Sequence, residues 1–265
     1  MSWIPNWAES WQRFSLLTRN MHRYLGPHDK PQDRPFYKAS ASRAASATFS
    51  DDLKRLKVAG IYHGCIIHVL EPLLCTQLKD ELALHWLISA FIDLPNNIQQ
   101  LIINAYKQPD HPVTSISNVS MDPIIADWAI GMTGMQVYTD ESLAYDPAYY
   151  YQNLSLDWHD LARTCTPGVE NGSDEGSRDL GFYQLAHKRK LFVDQTGHFG
   201  LTSDFTEVDD IVSVLFGCDV PVVLRSLGED KYSVIGEAYV HHLMDGEALD
   251  AYERGNSNLV EFTLE

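Results

Sequence analysis

The stretch Val220-Pro221-Val222-Val223-Leu224-Arg225-Ser226-Leu227-Gly228-Glu229-Asp230-Lys231-Tyr232-Ser233-Val234-Ile235-Gly236-Glu237-Ala238-Tyr239-Val240 decides the fold. Two runs rich in β-branched and aromatic residues, Val220–Leu227 and Tyr232–His242, flank Gly228-Glu229-Asp230, whose composition is that of a turn. Upstream, Lys190–Asp194, Phe199–Thr202 and Ile211–Phe216 repeat the pattern, separated by Thr196-Gly197, an acidic turn and Gly217. Five short strands with tight punctuation predict a small, partly closed C-terminal five-stranded β-barrel. A helix follows over Asp245–Tyr252, so that barrel and terminal helix span 182–252.

Outward from this region, residues 46–70 read as an N-terminal β-hairpin. Ala47 to Ser50 is a short strand, Asp51-Asp52 the turn, and Leu53 to Val58 alternates apolar and basic residues. Tyr62 to Leu70 continues the strand after a bend at Gly60, and these strands are candidates to join the barrel's sheet. Residues 76–165 are mainly helical. Leu78, Leu82, Trp86 and Phe91 hold helical spacing, Thr76 is a possible cap and Leu94-Pro95 a stop. A second helix runs from Asn96 or Asn97 to about Lys107, and a third over Pro123–Met132 with Asp122 as N-cap. Residues 166–179 have the Gly, Ser, Asp and Glu content of a surface loop, and 1–45, with Trp3, Trp7 and Trp11, form an arm that packs on the body. The expected class is α+β: a helical middle region packed with the barrel and the hairpin in a single domain, 1–265.

Composition limits the function. The chain has 265 residues, 45% of them hydrophobic, and a formal net charge of -16. Binding nucleic acid or an anionic membrane needs Lys and Arg to displace counterions, so neither partner is expected. The short basic run His187-Lys188-Arg189-Lys190 abuts an apolar run and reads as the solvated start of a strand. No stretch approaches the roughly 20 apolar residues of a membrane span, and Met1 to Trp11 lacks the pattern of a signal peptide. A cytoplasmic location is the expectation. The four cysteines, Cys65, Cys75, Cys165 and Cys218, form no C-x-x-C pair and read as reduced, structural residues.

Several blocks carry a resemblance. They include Phe192-Val193, Asp210-Ile211-Val212-Ser213-Val214-Leu215-Phe216-Gly217-Cys218, Val220-Pro221-Val222-Val223-Leu224-Arg225, Ile235-Gly236-Glu237-Ala238-Tyr239-Val240-His241 and Met244-Asp245-Gly246-Glu247. At the front stand Ser2-Trp3-Ile4-Pro5-Asn6-Trp7, Phe36-Tyr37-Lys38-Ala39-Ser40 and Leu56-Lys57-Val58-Ala59-Gly60. Together they resemble the C-terminal region of heterokaryon-incompatibility proteins of filamentous ascomycetes. The resemblance covers nearly the whole chain, although residues 70–165 share only general helical character. In that family a signature domain precedes the Trp-Pro-Trp block. Here the block opens the chain, so the expectation is a stand-alone copy of the C-terminal region, and the death-triggering activity placed in the signature domain is not carried over. Two positions depart from the family pattern: its Gly-Asp reads Asp209-Asp210, and its Val-His-Gly reads Val240-His241-His242.

The densest titratable cluster is Glu237, His241, His242, Asp245 and Glu247. On a strand, Glu237, Tyr239 and His241 share one face and His242 takes the other. That suggests His241 as acid/base, Glu237 or Asp245 as its orienter and Tyr239 as a hydrogen-bond donor. The same residues also read as a buried polar network where the barrel meets the last helix. Tyr149, Tyr150, Trp158 and His159 are candidates to bind a substrate in an apolar pocket, or to pack a core. A metal site is not expected, because His241 and His242 should point apart and no H-E-x-x-H or H-x-H occurs. No P-loop, G-x-G-x-x-G or G-x-S-x-G is present, so no cofactor is expected. His63 and His68 read as core or edge histidines. Two function classes follow. One is a cofactor-independent enzyme or binder of an apolar small molecule in fungal secondary metabolism, by cyclisation, isomerisation or dehydration. The other is a regulatory module that recognises a protein partner.

Overall fold

Strand β2, Leu56–Val69, is 14 residues long and pairs with four other strands. The computed structural model describes residues 38–41, 43–72, 90, 91, 93–107, 124, 128 and 188–265. The chain divides into two compact units, residues 1–72 with 188–265, and residues 73–187. In the first unit, β1 (Ala47–Phe49) pairs antiparallel with the start of β2. Strand β5 (Ile211–Leu215) then takes over that edge, from Gly60 to Cys65. From β5 the ladder passes to β6 (Val222–Gly228), to β7 (Lys231–Glu237) and, in parallel, to β9 (Leu259–Leu264). Strand β9 pairs with Leu56–Ile61 on the opposite edge of β2. The pairings therefore form a barrel-like closed circuit, β2-β5-β6-β7-β9.

Side chains two apart along these strands fill this circuit, as strand alternation requires. Val58, Ile211, Leu215, Leu224, Phe262 and Leu264 form one core cluster, with Tyr62, Cys65, Tyr232, Val234 and Val260 packed against it. The intervening residues Ile61, Val212, Val214 and Val223 belong to a second cluster with Ile66, Phe192, Val240, Leu243 and Leu249. That second core exists because β2 continues past the circuit. Its last residues pair with β3 (Arg189–Asp194), which pairs with β4 (Phe199–Ser203), which pairs with β8 (Tyr239–Val240). Helix α2 (Glu247–Glu253) contributes Ala248 and Leu249 to it. In the second unit, α1 (Asn96–Tyr106) buries Ile98, Ile102, Ile103 and Tyr106, and Phe91 meets Trp128 edge-on at 5.7 Å between ring centroids.

The expected strands at 190–242 are present, and the mixed α and β content stands. The strands that close the circuit differ from those predicted, because β3 and β4 lie outside it and β2 and β9 complete it. The expected link between the hairpin and the barrel's sheet is real. The sequence reading stopped at Tyr252 and so missed β9, although Val260, Phe262 and Leu264 alternate with polar residues there. The hairpin turn is wider than Asp51-Asp52: Leu53 adopts φ of 56° and is exposed, and β2 begins at Leu56. The arm before residue 38, most of the first and third predicted helices and the loop at 166–179 lie outside the described residues.

Gly60 is not a bend. The strand runs through it, and the register irregularities fall later, between Tyr62 and Gly64 and between Ile66 and His68. Glycine is needed because a Cβ there would stand 2.7 Å from the Val214 carbonyl oxygen, on paired backbone that cannot swing away. Gly60→Ala is expected to lower stability by about 1–3 kcal/mol, the usual range for overpacking. Gly228, at φ of 86° with open space around it, tolerates Asn with little change. Urea unfolding midpoints of the two variants check the contrast.

Candidate functional site

Part of the predicted centre is brought together. Tyr239 and His241 do meet: the Tyr239 hydroxyl lies 3.2 Å from His241 Nδ1, and both residues are buried. Glu237 accepts a hydrogen bond of 2.8 Å from Arg189, whose side chain is only 3% exposed. The basic run therefore supplies a buried partner to Glu237 rather than a solvated strand start. Asp245 is an exposed residue at the entry to α2, where Glu247 Oε2 accepts its backbone N–H. Loss of solvation around its carboxyl, then the charge of Glu247, raises its pKa. His241 and His242 do not point apart. Strand β8 ends at Val240, His242 adopts φ of 59°, and the two rings stand 4.0 Å apart. Tyr149, Tyr150, Trp158 and His159 lie outside the described residues.

The structure gathers a different set of polar groups at the β3–β4 turn, Asp194-Gln195-Thr196-Gly197-His198. Asp194 is fully buried, and its Oδ1 accepts the Thr196 N–H (2.8 Å), the Thr196 hydroxyl (2.6 Å) and the His198 N–H (3.0 Å). These three bonds lock the turn, as an aspartate does when it bonds backbone groups ahead of it. Asp194 Oδ2 points the other way, 3.2 Å from Nε2 of His63 on β2. The contact is close but poorly aligned, and Oδ2 has no well-formed hydrogen bond.

Burial alone would raise the Asp194 pKa. The close contact and charge of His63, followed by His198 and Thr196, outweigh it and hold the carboxyl below its usual range. His198 is pushed down to about 3 by burial and then by the charge of His63, with smaller effects from His242 and His241, and is neutral. The rings of His63 and His198 meet edge-on at 4.6 Å. His63, Asp194 and His198 each offer one ligand atom, all within 4.8 Å of one another. Sequence reasoning missed this set: Thr196-Gly197 served only as turn punctuation, and nothing local to His63 announces a partner so distant in the chain.

A second feature uses the motif residues. Asp210 is buried and accepts two hydrogen bonds from Arg225, at 2.8 and 2.9 Å. Arg225 also donates to the Phe205 carbonyl at 2.8 Å, and Asp210 Oδ2 accepts the Glu207 N–H at 2.8 Å. The bidentate pair thus ties the β4–β5 loop to β6. Asp209, where the family pattern has Gly, adopts φ of 73°, in the left-handed region that favours glycine. Further blocks of the resemblance also meet: the Lys38 N–H donates to the Met244 carbonyl and the Ala39 N–H to that of Asp219. Cys65 and Cys218 are free and half-buried, and burial followed by the charge of Asp219 raises the Cys218 thiol, which disfavours a reactive thiolate.

Comparison with known proteins bears on the C-terminal part of the chain. Residues 170–260 match the Het-6 beta-barrel domain, so the chain carries a C-terminal region related to that of heterokaryon-incompatibility proteins. One relative is heterokaryon incompatibility protein 6, OR allele, of Neurospora crassa, 30% identical over 127 residues, which is 43% of this chain and 19% of the relative. The chain thus spans about a fifth of the length of the curated relative that it matches. No solved structure matches it.

Two outcomes follow for the residues first predicted as catalytic. Glu237→Gln removes the charge that faces buried Arg189 and is expected to cost about 2 kcal/mol. Adding Arg189→Met should recover part of that loss, as chemical unfolding of the single and double variants would record. A carboxyl whose folded pKa exceeds its unfolded value holds its proton more tightly when folded, so its ionisation lowers stability as pH rises through the folded pKa. Asp245→Asn is therefore expected to melt above the parent at pH 7, with the difference vanishing at pH values below the carboxylate range. Thermal melts across that span check the sign.

Proposed function

We propose that the chain is a regulatory, non-catalytic recognition module of the heterokaryon-incompatibility type, cytoplasmic, that docks a protein partner on its β4–β5 loop. One observation carries this reading: Phe205 and Val208 are 54% and 51% exposed on a loop whose backbone is fixed by the Asp210–Arg225 pair. Large apolar side chains half exposed on a rigid backbone bind with little further loss of freedom, and such residues can anchor interfaces. Exposed Ile67 follows Ile66, whose carbonyl accepts the Asp209 N–H and ties this loop to β2. Exposed Glu207 and Asp209 flank Val208, with Glu207 3.3 Å from Arg225 and Asp209 the outward charge. This charge pattern fits a partner surface with an apolar hollow bordered by Lys or Arg. The name of the Neurospora relative supports the biological setting, and among the described residues no helix is long and apolar enough to cross a membrane.

A second reading, a cofactor-independent small-molecule enzyme or binder in secondary metabolism, has one observation in its favour. His63 beside buried Asp194 is an imidazole–carboxylate pair of the kind that transfers protons. The two readings separate by mutation. With the full chain fused to a proximity-labelling enzyme in a filamentous fungus, the parent is expected to label a defined set of proteins above a free-enzyme control. Phe205→Ser with Val208→Ser should lose that set while keeping the parent's melting temperature, and His63→Ala should retain it. Identical labelling by the parent and the loop variant, or no labelling above control, would overturn the recognition reading.

A further inference from the structure

We infer that His63, Asp194 and His198 form a binding site for a divalent transition metal, with zinc the ion that the donor set suits best. The inference does not rest on the recognition reading, since it uses the other face of the turn chemistry and none of the β4–β5 loop. Two imidazole nitrogens and one carboxylate oxygen, with no thiolate, suit zinc and its neighbours in the first transition row, whereas magnesium and calcium prefer oxygen alone.

Hydrogen-bond accounting at the turn shows which atoms are left for an ion. A hydroxyl carries one proton. The Thr196 hydroxyl donates it to Asp194 Oδ1, which as a carboxylate oxygen can only accept. The contact of 2.7 Å between Thr196 Oγ1 and His198 Nδ1 must then run the other way, with Nδ1–H donating, and the longer contact of 3.4 Å between Thr196 Oγ1 and His63 Nε2 likewise has Nε2–H as its donor, a proton that a metal would displace. The first contact fixes the His198 tautomer and leaves its Nε2 with a lone pair. A ligating histidine usually shows this arrangement, its second nitrogen donating to an oxygen that orients the ring.

Asp194 is likewise divided between two roles. Oδ1 takes all three turn bonds, which hold the carboxylate rigid, and Oδ2 is left buried without a well-formed hydrogen bond, facing His63 Nε2 at 3.2 Å. A turn that needed aspartate only as a cap would have no use for Oδ2 in that position, and leaving a buried carboxylate oxygen unsatisfied is costly. A cation between Oδ2 and the two imidazoles removes that cost. In a tetrahedral zinc site with bonds of roughly 2.0–2.1 Å, neighbouring ligand atoms stand about 3.3 Å apart. The His63–Asp194 spacing already meets this, and each of the three residues has a potential ligand atom within 4.8 Å of the other two. His63 comes from β2 and the other two ligands from the β3–β4 turn, so the ion would link the strand shared with the barrel-like circuit to the second layer.

The test uses the untagged full chain, stripped with a chelator and titrated with zinc chloride by isothermal titration calorimetry. One zinc ion per chain is expected. His63→Ala and His198→Ala should each weaken binding at least tenfold, and the double variant should abolish it. Thr196→Val, which keeps the side chain's shape but removes both orienting bonds, should weaken binding by about 10–100-fold. Cobalt(II) absorption of the parent should show ligand-field bands without thiolate charge transfer, which excludes the cysteines as ligands. His63→Gln and His198→Gln replace the alanine variants if circular dichroism shows those to be unfolded. The inference fails if the parent takes up no zinc, or if the double variant binds it as tightly as the parent.

Discussion

Strand β2 is the constraint on which the rest of the unit depends. A strand of 14 residues offers two edges, and different neighbours use different lengths of each. Along one edge β1 gives way to β5, and along the other β9 gives way to β3. The close approach of β5 at Gly60 and the two register irregularities that follow allow one strand first to close a circuit and then to start a second layer. Two apolar clusters result, one on each side of the circuit's strands. Both candidate sites lie where β2 leaves the circuit: His63 reaches the β3–β4 turn, and the Ile66 carbonyl anchors the β4–β5 loop.

The blocks that resemble the incompatibility family take on physical roles in this architecture. Asp210 and Arg225, distant members of two blocks, form one bidentate pair that fixes a loop. Glu237 neutralises a buried arginine. The block around Lys38 and Ala39 is sewn by backbone hydrogen bonds to Asp219 and Met244. A motif made of such residues identifies the fold more directly than the chemistry, because its charges are consumed internally. Chemistry is better sought where polar atoms remain unspent, as at Asp194 Oδ2.

Much of the sheet was legible in the sequence, because alternation and turn residues are local signals. The runs at 211–215 and 222–237 read correctly for that reason. Which strands would close the circuit was not legible, since β2 and β9 pair across most of the chain's length and no residue in either states its partner. The site was less legible still. The Glu237 partner Arg189 was not legible, because it lies far off in the chain in a basic run whose composition suggests solvent. His63 and Asp194 looked unrelated because only the long β2 brings them together. The left-handed backbone at His242 reversed the expected facing of two neighbouring rings, a conformation that residue type alone does not announce.

The account's central claim is that β2 makes the circuit and the second layer one cooperative structure, with the Asp194 turn held by both. Native-state hydrogen exchange measures this directly. The account predicts that the paired amides of 56–69, 189–203, 211–215 and 259–264 exchange through a single opening, with the same free energy and the same dependence on denaturant. Exchange of 189–203 at markedly lower free energy, while 56–61, 211–215 and 259–264 stay protected, would contradict it and detach the candidate site from the strand said to build it.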